Sequence, residues 1–239
     1  MNGDHAIMSD QKVRRWTAAF GIAAFVLFLV AMPLYFLGPP AVVPQNAGFT
    51  DYVTKTNIFV VTRATLVDPL ILSCFLVFIA GFRHLIRQAR SDYEWIATLI
   101  FGAGVLYIAL QLVADALQAA AALDTFVGAN PSAVRALFEG SAPLYGAVGL
   151  IPEAFLLAFA GYATLVTGVL PKWVGWLAYI GAIIVFADAP TIYMGFSGLI
   201  YSGAAGFFTA IAQFWAPIWI LIASISLIQK RQRPGEHEV

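Results

Sequence analysis

Charged side chains are scarce in this chain of 239 residues. Asp, Glu, Lys and Arg make up 11% of the sequence, whereas 61% of the residues are hydrophobic. A soluble domain carries about 25% charged residues, so this chain has too little polar surface to cover a water-facing globule. The composition excludes a soluble domain and predicts an integral membrane protein surrounded by the lipid bilayer.

Cysteine, histidine and net charge are also low. Cys74 is the only cysteine, which excludes an intrachain disulfide and a cysteine-based metal site. The three histidines, His5, His84 and His237, lie outside the long apolar stretches, and this argues against a zinc, haem or copper centre within the membrane. The formal net charge is zero, so the sequence offers no basic patch for nucleic acid.

Long apolar stretches occur six times, and each is long enough for a membrane-spanning helix, which needs about 20 mostly apolar residues. They are Thr17–Leu37, Phe59–Phe82, Trp95–Leu117, Leu144–Leu170, Val174–Met194 and Phe207–Ile228. None shows the alternating pattern of a membrane β-barrel strand. The sequence therefore predicts an all-α fold, a polytopic bundle of six transmembrane helices that forms a single domain over residues 1–239.

Lysine and arginine are distributed unequally between the two predicted sides. Ten of them flank the spans on the side that holds both termini, whereas Lys55, Arg63 and Arg135 are the three on the other side. Because cytoplasmic loops carry an excess of Lys and Arg, both termini are predicted to be cytoplasmic. Residues 1–16 and 229–239 would then be cytoplasmic tails.

One stretch carries a family resemblance. The sequence VTGVLPKWVGWLAYIGAIIV, from Val166 to Val185, resembles a recurring hairpin in uncharacterised six-helix membrane proteins of bacteria. In that hairpin a helix rich in small residues is followed by Leu-Pro-basic-Trp and a glycine-rich helix. The resemblance implies a multi-pass protein of the bacterial inner membrane, and it implies no activity.

Four acids interrupt the spans: Asp68, Asp115, Glu153 and Asp188. An acid costs about 2.5–3.5 kcal/mol at the centre of a membrane helix and less near its ends. At 1.5 Å of rise per residue, all four are expected in the outer third of the membrane. Asp68 and Asp188 are expected to be deepest, Glu153 shallower and Asp115 close to the boundary. Taken singly, Asp115 is interpreted as a helix end in water. The shared level predicts a common outward-facing cavity.

Other polar side chains accompany these acids. Gln111 shares one face of the third span with Asp115, because the polar residues of that helix are spaced by four, four and three: Tyr107, Gln111, Asp115 and Gln118. Gln213 lies in the sixth span. Carboxylates that are close together in a poorly solvated site cannot all ionise, so they are expected to share protons.

Arg63 and Trp215 each allow two interpretations. Arg63 precedes Asp68 by five residues, so it is either the counter-charge of the acids or a side chain that extends to the outer interface. Trp215 lies in the middle of the sixth span, where it either lines an apolar pocket below the acids or packs against a neighbouring helix.

These residues leave three functions open. The first is binding or transport of a cation or small solute with proton coupling; a hard divalent cation such as calcium, magnesium or manganese would suit oxygen ligands, and no other cofactor is predicted. The second is a membrane-embedded enzyme acting on a lipid or isoprenoid, with Asp68, Glu153 and Asp188 as candidate catalytic acids and bases. The third is an accessory subunit whose acids pair with a partner subunit or a second copy.

Overall fold

Every regular element that the structure describes is a helix. The computed structural model describes residues 2–37, 49–128, 130–190 and 203–229. The helices are α1 (Asn2–Leu37), α2 (Phe49–Thr62), α3 (Asp68–Ala89), α4 (Glu94–Asp124), α5 (Pro131–Tyr145), α6 (Ala147–Thr167), α7 (Lys172–Asp188) and α8 (Gly203–Gln229). A π-helical turn, Arg63–Val67, joins α2 to α3, and a 3-10 turn, Ser91–Tyr93, precedes α4.

Five helical segments within the described residues are long and apolar enough to cross a membrane. They are Gln11–Tyr35, Val53–Ala89, Ser91–Asp124, Pro131–Thr167 and Ile211–Gln229. Helix α7, at 17 residues, is shorter than these five. The prediction of an all-α chain is confirmed for the described residues, and the apolar helices are compatible with a multi-pass membrane protein.

Six of the helices pack side by side in a closed ring around a common core. Going round the ring, the order is α1, α3, α4, α6, α7 and α8, and α8 packs back on α1. Glycines allow close approach at several of these contacts: Gly161 of α6 lies against the backbone of Gly175 in α7, and Gly104 of α4 lies against Ile79 and Leu156. The ring therefore brings residues from distant parts of the chain into one interior.

The ring has two distinct ends. Thr17 and Gly21 of α1 lie against Gly81, late in α3, and Ser224, late in α8, so the ends of α3 and α8 lie at the same end of the bundle, on the side of α1 from which its chain begins. We call this end the Arg83 end, after a residue late in α3, and the opposite end the Arg63 end. Helices α2 and α5 pack against α4 at the Arg63 end.

Aromatic side chains fill the core near the Arg83 end. The rings of Phe78 and Phe82 stack at 6.0 Å, and Trp219 of α8 meets both edge-on. The Trp219 indole N–H donates to the carbonyl of Val174 at 3.1 Å, which fastens α8 to α7. All three aromatic side chains are buried. Exposed side chains around the ring include many large apolar ones, as expected for a surface that faces lipid.

The helices extend beyond the spans predicted from hydropathy. Helix α1 begins at Asn2, within the predicted tail of residues 1–16, and α2 begins at Phe49, ten residues before the predicted second span. Hydropathy counts apolar residues only, whereas helical hydrogen bonding continues into polar sequence. The end of the predicted fifth span, beyond residue 190, lies outside the described residues.

Candidate functional site

Arg63 is the centre of a polar cluster at the Arg63 end of the bundle. Its Nε lies 3.4 Å from Oδ2 of Asp68, and its Nη2 lies 4.0 Å from Oδ1 of Asp115. The same Nη2 donates hydrogen bonds to the side-chain oxygen of Gln118 and to the hydroxyl of Tyr145, the latter at 3.3 Å. Arg63 therefore contacts two of the predicted acids at once. We define the Arg63 cluster as Tyr35, Arg63, Asp68, Asp115, Gln118 and Tyr145.

The π-helical turn brings Arg63 and Asp68 to the same side of the helix. In a regular α-helix, residues five apart point about 140° away from each other. Here the backbone N–H of Asp68 donates to the carbonyl of Arg63, five residues earlier, which widens the turn and aligns the two side chains. Pro69 follows in the first turn of α3, directly after the widened turn, so the N–H that a proline lacks is missing where the hydrogen-bond pattern of the helix changes. π-Helical turns of this kind recur at functional sites.

Two tyrosines hold the two acids in the same way. The Tyr35 hydroxyl donates to Oδ1 of Asp68 at 2.5 Å, and the Tyr145 hydroxyl donates to Oδ1 of Asp115. Their rings lie on the Arg63 guanidinium, with centroids 5.1 Å and 5.8 Å from its central carbon, which adds cation–π attraction. Each acid thus receives one phenolic hydrogen bond and faces the same positive charge.

The carboxyl groups of Asp68 and Asp115 have Arg63 as a common partner. Oδ2 of Asp68 and Oδ1 of Asp115 lie 3.4 Å and 4.0 Å from nitrogens of its guanidinium, and the exposed fractions of the two residues are 7% and 2%. Among the described residues, no protein group donates a hydrogen bond to the buried Oδ2 of Asp115. A proton held between the two carboxyl groups would supply a donor and would leave one positive and one negative charge in the cluster.

Amide and hydroxyl side chains complete the hydrogen bonding around the cluster. Gln118 donates to the hydroxyl of Ser141 at 3.0 Å, and Ser141 donates to the carbonyl of Phe138 at 2.7 Å. Gln213 of α8 donates to the backbone carbonyl of Tyr145 at 3.1 Å. These bonds fix the side of the cluster that faces α5 and bring Gln213 to its edge.

The polar face of α4 continues from the cluster toward the middle of the bundle. Gln111 lies against Gly149 of α6, whose missing side chain leaves room for it. One turn further, the Tyr107 ring packs edge-on against Phe75 at 5.9 Å. Leu156 of α6 lies against Gly104 of α4, so Glu153, between Gly149 and Leu156, is level with Tyr107. The predicted polar stripe of α4 therefore faces the interior.

Glu153 lies deeper in the bundle than predicted. It is fully buried at the level of Tyr107, which is eight residues from Asp115 along α4, or about 12 Å. The predicted span continued to Leu170, whereas α6 ends at Thr167 and residues 168–171 form the turn to α7, so fewer helical residues separate Glu153 from that turn than the prediction assumed. Asp115 also differs from the interpretation as a helix end in water, because its side chain is buried.

Asp188 is fully buried at the last residue of α7. Among the described residues, the hydrogen bonds and ion pairs of Asp68 and Asp115 go to side chains other than Asp188, so the Arg63 cluster as defined does not include it. The four acids are all interior, but the structure joins two of them through Arg63 and places the other two on the α6–α7 side of the ring.

Trp215 packs between helices. Its ring lies against Gly181 of α7, and its indole N–H donates to the carbonyl of Leu177 at 3.2 Å. This repeats the contact that Trp219 makes one turn later. The geometry favours the packing interpretation of Trp215 over the pocket interpretation.

A divalent metal ion does not fit the described part of this site. No group of three or more His, Cys, Asp or Glu side chains in the described ranges is arranged to hold a metal ion. Arg63 lies against both acids of the cluster and would repel a cation there. The hard-cation hypothesis therefore receives no support from the site.

Neither a family model, nor a curated protein, nor a solved structure matches this chain. The functional argument therefore rests on the Arg63 cluster and on the acids that lie near it.

Proposed function

We propose that this chain is a bacterial inner-membrane protein with six transmembrane helices and cytoplasmic termini, in which the Arg63 cluster binds a small polar solute with exchange of a proton. Helix α7 supports the count of six, because it packs between α6 and α8 as a full member of the ring. The excess of Lys and Arg around the Arg83 end supports an outward-facing Arg63 end.

The charge of the cluster is the observation that carries this proposal. Two buried acids share one arginine, so the cluster would hold a net negative charge if both acids were ionised. An unbalanced charge in apolar surroundings costs far more than a neutral, hydrogen-bonded acid. One proton between Asp68 and Asp115 balances the cluster. Any solute that withdraws Arg63 or a tyrosine hydroxyl from these acids would change how tightly they hold that proton.

A polar organic solute suits the cluster better than a metal cation does. The oxygens of Asp68 already accept from Tyr35 and face Arg63, so few carboxylate oxygens remain for a metal. Arg63, the tyrosine hydroxyls and the Gln118 amide offer both donors and acceptors to a solute. The Arg63 side chain keeps 14% of its surface exposed, so part of it is accessible from outside the bundle.

The other two hypotheses have less support. An accessory subunit would present its acids to a partner, whereas Asp68, Asp115, Glu153 and Asp188 are all buried. An enzyme acting on a lipid or isoprenoid needs a buried acid next to an apolar pocket. Glu153 is a buried acid, but Trp215, which on one of its two interpretations would line such a pocket, packs on Gly181 instead.

Native mass spectrometry of the purified protein tests the proposal. We expect the wild-type protein to retain a small polar molecule whose occupancy changes with pH, and Asp115→Asn to lose that molecule and its pH dependence. Asp51→Asn, which alters an exposed acid in α2 near the same end of the bundle, is the matched control and should retain it. Wild-type protein with no bound molecule at any pH, or equal retention by Asp115→Asn, would overturn the proposal.

A further inference from the structure

Glu153 is a carboxyl group buried in the middle of the ring without an ordinary hydrogen-bond partner. Its exposed fraction is 0%, and in the described part of the chain neither Oε1 nor Oε2 accepts a hydrogen bond. The backbone of Ala216 in α8 approaches the carboxyl but does not reach hydrogen-bond geometry. A bare carboxylate in such surroundings costs several kcal/mol, so the site requires a positive partner.

The neighbouring helices provide no such partner among the described residues. From α4 the titratable group that faces Glu153 is the Tyr107 hydroxyl, and from α8 the nearest group is the uncharged Ala216 backbone. Asp188 of α7 is itself an acid. The fully apolar side chains of α3 that pack in the same core, such as Phe75, add no charge. No group in the described part of the chain balances Glu153, and the smallest partner that can do so is a proton.

Tyr107 lies between this acid and the Arg63 cluster on the polar face of α4. Gly149, one turn before Glu153 in α6, lies against Gln111, and Leu156 lies against Gly104, so Glu153 is level with Tyr107, about two turns from Asp115. A phenol can accept a proton at its oxygen from one side and release its own proton to the other, and it is unchanged afterwards. Gln111 lies between Tyr107 and Asp115 on the same face of α4 and adds a second polar group to this interval.

We propose that Glu153 is an intramembrane proton-binding site and the inner end of a proton path that runs from the Asp68–Asp115 pair past Tyr107. In each transfer the proton leaves the aspartate pair, Tyr107 passes on its own proton, and Glu153 changes from carboxylate to carboxylic acid. The supply of protons rests on the proposed function of the Arg63 cluster, whereas the site at Glu153 rests on its burial alone. The path gives the cluster a connection to the membrane centre.

Labelling with dicyclohexylcarbodiimide tests the site directly. This apolar reagent adds to a protonated carboxyl group within a membrane protein: the carboxyl oxygen bonds to the carbodiimide carbon and the proton passes to nitrogen, so the residue gains the mass of one reagent molecule. We expect peptide mass spectrometry of the full-length protein to find labelling of Glu153 at neutral pH that exceeds labelling of Glu139 on the order of tenfold or more. Glu139 is the matched control because it is partly exposed and paired with Arg135 at 2.7 Å.

Absence of label on Glu153 while other carboxyl groups react, or labelling equal to that of Glu139, would overturn the proton site. Glu153→Gln should remove this label and leave any bound solute of the cluster in place. If Glu153 of the wild-type protein is not labelled but the bound solute is retained normally, the inference is rejected and the proposed function of the Arg63 cluster is not.

The path is tested by the rate at which Glu153 regains its proton. Wild-type, Tyr107→Phe and Leu106→Ile proteins are held at alkaline pH and returned to neutral pH, and labelling is started at successive times. Tyr107→Phe keeps the ring and removes the hydroxyl, so we expect its label on Glu153 to return more slowly than in wild type. Leu106 is exposed and lies off the polar face of α4, so it serves as the control. Equal rates in all three proteins would overturn the path.

Discussion

The two ends of the helix ring are held together by different interactions. At the Arg83 end, Phe78, Phe82 and Trp219 fill the core with aromatic surface, and one indole N–H fastens α8 to α7. At the Arg63 end, one arginine and two acids are held in a shared network of hydrogen bonds. One end of the ring is thus stabilised by apolar packing, and the other end by ion pairs and hydrogen bonds.

This contrast indicates which end can change its state. Apolar packing has no charge to gain or lose, so the Arg83 end is suited to holding the helices together. A buried polar network is strong when every member is present and costly when one is missing. The Arg63 end can therefore respond to a proton or a solute, and mutations should affect the two ends differently.

The largest effect is expected from Arg63→Leu. Removal of the arginine leaves Asp68 and Asp115 buried without their counter-charge, which should lower the free energy of unfolding by about 3–5 kcal/mol. Unfolding with a denaturing detergent, followed by circular dichroism, measures the change. Arg83→Leu is the control, because Arg83 pairs with Glu94 at 4.0 Å in an exposed position, and such pairs contribute about 0–1 kcal/mol. Similar losses in both variants would remove the contrast between the ends.

Trp219→Ala should have the next largest effect. It removes the side chain that meets Phe78 and Phe82 and leaves a cavity, at a cost of about 3 kcal/mol in the same unfolding measurement. Solute retention should be unchanged, because the Arg63 cluster is at the other end of the ring. Trp173→Ala at an exposed position is the control. If Trp219→Ala abolished solute retention in folded protein, the two ends would not be separable.

Gly149→Ala should cost about 2 kcal/mol. A Cβ atom at this position would lie 1.8 Å from the carbonyl oxygen of Leu144, so the junction of α5 and α6 must shift. The shift would displace Tyr145 and Gln111, and we expect weaker solute retention as well as lower stability. Gly102→Ala is the control, since a Cβ atom there meets no other atom within 4 Å. Equal behaviour of the two variants would contradict the close approach at Gly149.

Tyr35→Phe should have the smallest effect on stability. It removes one hydrogen bond to Asp68 and keeps the ring on Arg63, at a cost of about 1 kcal/mol. Because Asp68 then loses a donor, the acid pair should hold its proton more tightly, and solute retention should change its pH dependence. Tyr162→Phe, outside the cluster and partly exposed, should change neither property. An unaltered pH dependence in Tyr35→Phe would show that this hydroxyl does not act on the acid pair.

Much of the architecture follows from the sequence, because hydropathy reports burial in lipid directly. The all-helical fold and the interior face of α4 required only periodicity and composition. The site was harder to predict. Tyr35 and Tyr145 lie near the ends of apolar stretches, where tyrosine is ordinary at a membrane interface, and nothing local distinguishes them. The alignment of Arg63 with Asp68 depends on a π-helical turn that the spacing of five residues does not reveal. The depth of Glu153 depended on where α6 ends.

Infrared spectroscopy of the carboxylic-acid C=O stretch tests the central claim, a proton shared by Asp68 and Asp115, most directly. With aspartate labelled by carbon-13, aspartic-acid bands are separated from those of Glu153 and the other glutamates. We predict a protonated aspartate band at neutral pH that is lost or shifted in Asp115→Asn and in Asp68→Asn, and that persists in Asp188→Asn. A wild-type spectrum identical to those of Asp115→Asn and Asp68→Asn would contradict the claim.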